Sequence, residues 1–313
     1  MKENNQNLKN GCEKMNEKKE IKKYKKAGKI ASKARKKSEK IIEKGKTFLE
    51  AAEEIESYIK EKGGKPAFPV NLSVNNEAAH YTPGKKKERR FNESQIIKID
   101  IGVHIDGYVG GDTAYTIDFT EENPELVKAS EEALENAISM IKEERKIDEI
   151  SKEIQRTIKE KGFEPIRNLT GHGLGEWKTH KEPAIPNIKT NTNKKLKEGQ
   201  IIAIEPFAST GQGRVKEGKH REIYSHNKEA QIRNKTAREI MKKTKKEYKN
   251  LPFAKRWIQD NHKELKMKMA LKKLKNREIL KEYPVLKDDK GSMVSQAEKT
   301  VKVETDGCEV LTD

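Results

Sequence analysis

Apolar positions along this chain recur at two periods, and the changes of period divide it into blocks. Residues 21 to 43 are spaced for a helix, with Ala27, Ile30, Ala31 and Ala34 on one side and Ile41 and Ile42 a little further on, until Gly45 interrupts the pattern. Residues 48 to 59 resume it. Phe48, Ala51, Ala52, Ile55 and Ile59 form one apolar stripe, and Gly63-Gly64 supplies the stop. A second helical pair is expected over 124 to 142 and 147 to 161, closed by Gly162. Residues 1 to 20 are polar without hydrophobic period, and a disordered Lys/Asn-rich N-terminus is expected there.

Between the helical pairs the pattern turns strand-like. Residues 95 to 104 and 108 to 119 are rich in Ile, Val, Tyr and Thr and flank Asp106-Gly107, a strong hairpin signal. Further strands are expected over 200 to 208 and 293 to 303. Helix pairs beside hairpins indicate an α+β fold, with helices packed on an antiparallel-rich sheet. Residues 211 to 287 read differently, as a basic and mostly helical stretch (229 to 248, then 263 to 281) too long for a structureless loop. The expected organisation is a main domain of residues 21 to 210 and 288 to 313, carrying a helical insertion subdomain of residues 211 to 287.

Composition sharpens the picture through charge. A chain of 313 residues can bury a full core, yet only 32% of this one is hydrophobic and 38% is charged, so its surface must be heavily ionised. Lys and Arg number 68 against 51 Asp and Glu, a formal +17 that favours polyanions, ribosomal RNA among them. Lysine is also spread along presumed solvent faces, so basicity alone assigns no partner. Cys12 and Cys308 lie far apart and outside any CxxC pair, which leaves structural zinc and a disulfide framework without support. No run of about 18 apolar residues suggests a membrane span, and the N-terminus lacks the apolar core of a secretory signal. The expected compartment is the cytoplasm. No heptad or exposed apolar stripe stands out, and a monomer is expected.

Five side chains lie in or beside the expected strands: Asp100 in KIDIG, Asp112 in GGDTA, His172 in LTGHG, Glu205 in IEPF and Glu298 in SQAEKT. Each alone reads more readily as a turn, surface or hydrogen-bonded residue. Together they pose a problem, because carboxylates buried in apolar strands are costly and repel one another. Divalent cations bound among them would remove it. Oxygen-rich ligation with one imidazole suits Mn, Fe, Co or Zn.

Their order along the chain carries a resemblance. GKPAFPVNLSVNNEAAHYTP (64 to 83), KIDIGVHIDGYVGGDTAYT (98 to 116), NLTGHGLGEWKTH (168 to 180), AIEPFAS (203 to 209) and SQAEKTVKV (295 to 303) resemble the type 2 methionine aminopeptidases, the archaeal members above all. LPFAKRWI (251 to 258) and YPVLKD (283 to 288) are similar to that family as well. The resemblance runs from about residue 22 to the C-terminus. It implies the pita-bread fold, a pseudo-two-fold structure with a type 2 helical insertion and a central cleft holding two divalent metal ions. It implies Asp100, Asp112, His172, Glu205 and Glu298 as their ligands, with His80 and His180 beside the scissile bond. Phe68 and Tyr283 are implied as walls of a methionine pocket. The implied reaction is removal of the initiator methionine from nascent polypeptide N-termini. A metal-bridging hydroxide attacks the first peptide bond, and Glu205 carries the proton to the leaving amine. The basic surface is expected to allow contact with the ribosome.

The chain departs from the family pattern in two places. Eleven residues separate Asp100 from Asp112, one more than the pattern has, and the extra residue falls at Gly110-Gly111. A one-residue shift in a strand turns the following side chains to the opposite face. A β-bulge at the two glycines would absorb it and keep Asp112 aimed with Asp100. The second departure is Lys299, next to Glu298, expected to point to the other side of its strand. Two rivals remain open: a proline-specific aminopeptidase sharing the same ligands, and a metal-free relative that binds RNA or the ribosome.

Overall fold

The computed structural model describes residues 2–85, 89–259 and 263–313, with side chains described from residue 18 onward. Helix α1 (Lys2–Ile41) comes first. The helix thus runs through residues 2 to 20, where a disordered N-terminus was expected, while the side chains before residue 18 lie outside the described residues. Beyond that stretch, α1 buries Ala27, Ile30, Ala31 and Ala34, the side read from the sequence. Helix α2 (Phe48–Glu61) opens with a capping box in which Thr47 Oγ1 accepts from the Glu50 amide and the Glu50 carboxylate accepts from the Thr47 amide.

Strands β1 (Lys65–Pro66), β2 (Asn71–Val74) and β3 (Glu77–Ala79) lead into the hairpin of β4 (Ile96–Ile105) and β5 (Tyr108–Asp118). Asp106 and Gly107 turn it with φ of 50° and 96°, the positive values that a tight two-residue turn requires. β4 carries β2 and β1 along one edge and β5 along the other, all antiparallel. α1 and α2 cover this sheet, and Ile97, Ile99, Ile101 and Val103 of β4 share a core with Ile30, Phe48 and Ile55.

The same plan then repeats. α3 (Pro124–Ser139), with Pro124 in its first turn, and α4 (Ile147–Glu160) form a second helix pair. β6 (Glu164–Pro165), β7 (Thr170–Gly175), β8 (Lys178–Pro186), β9 (Ile201–Ile204) and β10 (Phe207–Ser209) follow. Next come β11 (Lys216–His226), α5 (Lys235–Tyr248), β12 (Phe253–Ala254), α6 (Lys255–Ile258), α7 (Glu264–Asn276) and β13 (Leu280–Lys287). β14 (Val294–Gln296), β15 (Lys299–Glu304) and β16 (Gly307–Val310) complete the chain's elements. One sheet runs β16-β15-β9-β7-β8, and α3 and α4 bury Leu126, Ile150, Ile154 and Ile158 in a core with Ile202, Ile204, Val301 and Val303 of that sheet.

Two long strands that period alone did not reveal bracket the helices of the 211–287 stretch. β11 and β13 pair with each other, and β13 pairs with β3. Most of β11 is half-buried or exposed on both faces, so no alternation of polar and apolar residues marks it. The helix expected to reach residue 281 stops at Asn276. These elements enclose a core of their own, with Phe253, Ile240, Met267, Leu271 and Leu274 among its members.

Candidate metal centre

The two expected strands over 200 to 208 and 293 to 303 are each broken in the middle, and the breaks place two carboxylates. Glu205-Pro206 separates β9 from β10, and Ala297-Glu298 separates β14 from β15. At the second break Glu298 exchanges backbone hydrogen bonds with Ala114 of β5, at 2.9 and 3.3 Å, which stitches the two halves together. His172 arrives on β7, opposite Ala203 of β9.

Asp100 and Asp112 arrive on the first hairpin. Their register shows how the extra residue is accommodated. Val103 pairs with Gly111 and His104 with Val109, so Gly110 is the bulged residue and the ladder from Asp112 to Asp118 is regular. The expected bulge is there. The glycines serve a second need as well, because α1 crosses directly above them. A Cβ on Gly110 would lie 2.2 Å from the Tyr24 carbonyl oxygen, and one on Gly111 2.6 Å from that of Ala27.

These elements bring Asp112, His172 and Glu298 so close that one donor atom from each lies within 4.8 Å of the others. Glu205 Oε1 is 3.3 Å from His172 Nε2. Asp100 accepts from Asn71 Nδ2 at 3.2 Å through one oxygen, while its buried Oδ1 has no partner, and neither has the buried Nδ1 of His172. Gln296 Nε2 donates to Glu298 at 3.3 Å. All five line one cavity of about 190 Å³ whose walls include no Lys or Arg.

The electrostatic consequence is plain in the carboxylates. Burial pushes Asp100 up to about 7. Asp112, Glu205 and Glu298 lie well above the carboxylate range, first through burial and then through repulsion by one another and by Asp100. Burial, with His180 nearby, holds His172 well below the usual imidazole value. Acidic oxygens without a protein cation, one of them orphaned, together with a neutral imidazole, are a donor set that fits divalent metal.

The remaining predicted residues line the same cavity. His80 follows β3 with φ of 67°, its Nδ1 is 3.3 Å from the Pro284 carbonyl, and its ring meets Tyr283 edge-on with centroids 5.6 Å apart. The His180 ring lies 4.2 Å from that of His172, and its Nδ1 is 3.2 Å from Thr179 Oγ1. Burial pushes both His80 and His180 down to about 4, with Lys281 adding to the fall. Phe68 packs over Gly102, where a Cβ would come 2.2 Å from its ring. Lys299 turns away, as expected, to Asp313 at 2.5 Å.

Ten of the cavity's lining residues were not anticipated as site residues from sequence, and four of them show why. Asn71 and Gln296 hold Asp100 and Glu298, and the signal for them was an amide set among apolar strand residues. Ile223 and Pro252 come from the 211–287 stretch, and nothing local marked them as pocket walls.

Comparison with known proteins agrees with this geometry. The model of metallopeptidase family M24 matches residues 22–244. The methionine aminopeptidase of Pyrococcus horikoshii is 46% identical over 288 residues, covering 92% of this chain and 97% of that protein. The crystal structure of methionine aminopeptidase from Thermotoga maritima superposes with a TM-score of 0.68 at 28% identity, over 94% of this chain and 97% of that one. A thermophilic Arx1 superposes with a TM-score of 0.78 over 93% of this chain and 90% of that one; at 18% identity the likeness is one of fold.

Proposed function

This chain belongs to metallopeptidase family M24 and has its pita-bread fold, and on that premise we propose that it removes the initiator methionine from polypeptide N-termini in a metal-dependent reaction. The observation that carries the reading is the convergence of Asp100, Asp112, His172, Glu205 and Glu298, from both halves of the fold, on one cavity with an orphaned acidic oxygen. These five hold the metal. Four carboxylates bear more negative charge than one divalent cation offsets, which favours two ions. The donor types admit Co, Mn, Fe or Zn.

Bound cations supply Lewis acidity and neutralise the cluster's repulsion. The chain's own groups do the rest. Asn71 and Gln296 hold Asp100 and Glu298 in orientation through their side-chain amides. Glu205, the carboxylate 3.3 Å from His172, carries a proton from the attacking water to the departing amine. His180, neutral at working pH, donates a hydrogen bond to the carbonyl oxygen as it gains charge. His80 faces it across the cavity and contacts the peptide beside the scissile bond. Phe68 and Tyr283 form the slot for the unbranched methionine side chain.

Substrates of this kind emerge from ribosomes in the cytoplasm, where the basic surface favours ribosome contact and the enzyme acts as a monomer. Among the described residues no helix is long and apolar enough to cross a membrane. A metal-free binding role is the less supported reading, because all five candidate ligands line the cavity together.

The test is release of free methionine from Met-Ala-Ser by metal-stripped protein titrated with Co(II), Mn(II) or Fe(II). Metal-dependent turnover that Glu205→Ala abolishes is the expected result. Folded protein that binds metal and releases nothing would sink the reading.

A further inference from the structure

The inner cavity opens into a wider cleft of about 660 Å³, and His80, Thr179, His180 and Tyr283 border both spaces. One wall of the cleft comes from the start of β8, at Lys178 to His180. The other comes from β11 and β13, at Ser225 to Asn227 and Lys281 to Pro284. β8 is the edge strand of its sheet, a border suited to an extended peptide.

Charge in this cleft is unbalanced. Its acids are Glu217 and Glu282. Arg221 lies 3.8 Å from Glu217 and 3.4 Å from Glu282, and Lys275 Nζ lies 2.5 Å from Glu282. The cleft lysines lack such neighbours. Lys281 is exposed and sets its ammonium 4.8 Å from the centroid of the Tyr283 ring. Among the described residues no carboxylate lies within ion-pair distance of Lys281, or of the exposed Lys178 across the cleft. The cleft therefore presents cationic groups to whatever enters it.

We infer that this cleft receives the residues that follow the cleaved bond, and that Lys281 selects for an acidic side chain among them. The inference rests on the aminopeptidase reading and extends it to the substrate's downstream sequence. Lys281 stands two residues from Tyr283 on β13, and its ammonium reaches back over the Tyr283 ring, 4.8 Å from the centroid. With methionine beside Tyr283, that ammonium flanks the start of the downstream peptide, and its flexible four-carbon stem can follow the residues that lead away along the cleft.

The experiment compares kcat/KM for Met-Ala-Glu-Glu-Trp, Met-Ala-Lys-Lys-Trp and Met-Ala-Ser-Ser-Trp at low salt on the metal-loaded protein. The acidic peptide is expected to exceed the basic one by about three- to fivefold, as suits a solvent-exposed charge contact. The difference lies in KM and shrinks as salt rises toward about 0.5 M. Lys281→Glu inverts the order. Lys142→Glu, at an exposed site outside the cleft, leaves the ratio in place and separates the local effect from the overall +17. A ratio near one in the native protein, or a preference that survives Lys281→Glu, overturns the inference. If the neutral peptide is not cleaved, it is the aminopeptidase reading that fails. Equilibrium binding of the same peptides, followed by tryptophan fluorescence, then decides the cleft's charge preference separately, and absence of acidic preference there overturns it.

Discussion

Thr300 grips the backbone of Asp112 in both directions: its hydroxyl accepts from the Asp112 amide at 2.9 Å and donates to the Asp112 carbonyl at 2.8 Å. Both residues are buried, and the contact sits where β5 leaves its bulge. A bulge frees a strand to rotate locally, and this side chain removes that freedom at a carboxylate that lines the cavity. Thr300→Val keeps the shape and deletes the hydroxyl. It is expected to cost about 1–3 kcal/mol of stability through the buried amide it abandons and to weaken metal binding measured by calorimetry. Thr300→Ser should restore both. Metal affinity unchanged in the Val variant would show that the bulge needs no such brace.

Gly110 answers to a different constraint. A Cβ there would press on the Tyr24 carbonyl oxygen and Cα, at 2.2 and 2.6 Å, and these are backbone atoms of a helix that cannot swing aside. Gly110→Ala must lift α1 from β5, at about 1–3 kcal/mol or more. A fall of several degrees in Tm is the expected readout. An unchanged Tm would mean that α1 is seated less tightly over the hairpin.

The clustered carboxylates set how the metal-free protein responds to pH. Asp100 is raised from its ordinary value to about 7, and Asp112, Glu205 and Glu298 are raised as well. The native state then holds protons that the unfolded chain has already released between about pH 4 and 7, so the sign of the linkage makes stability fall as pH rises through that window. Divalent cation binds the deprotonated groups and cancels the fall, adding about 2.7 kcal/mol at a hundredfold excess over Kd. Thermal unfolding at pH 5 and 7.5, with EDTA and with Mn(II), checks this. Equal pH slopes in the two conditions would refute it.

His80 and His180 are both held down to about 4. A lowered imidazole value means that the folded site favours the neutral ring, so neither should titrate between pH 8 and 5. NMR titration of the metal-free protein should find their ring signals moving near pH 4, and a midpoint near 6.5 for either would contradict the structure. On the proposed reaction, His180→Ala removes the hydrogen-bond donor for the reacting carbonyl. Its expected effect is a drop of about 10²-fold or more in kcat with a smaller change in KM.

Local sequence carried the helices because each has a stripe that needs no partner to be seen: Ile55 and Ile59 of α2, or Ile150 and Ile154 of α4, repeat within a few residues. It also carried the hairpin, since Asp106-Gly107 names its own turn. The identity of the acidic and imidazole side chains was legible too, because a carboxylate inside an apolar strand is costly wherever the strand goes. What no local pattern encodes is convergence. Asp112 and Glu298 are far apart in the chain and meet only because Ala114 bridges the break between β14 and β15. Asn71 and Gln296 look ordinary until the carboxylates they orient are beside them. β11 stayed hidden because partly exposed strands lose their alternation. The extra residue at Gly110 is the clearest division between the two sources of information. The sequence by itself determined that a shift of one residue had to be absorbed. Only the tertiary structure, through the register of β4, the grip of Thr300 and the close passage of α1, decided that it is absorbed at Gly110 with Asp112 still facing the cavity, because strand register is set by pairing across the sheet.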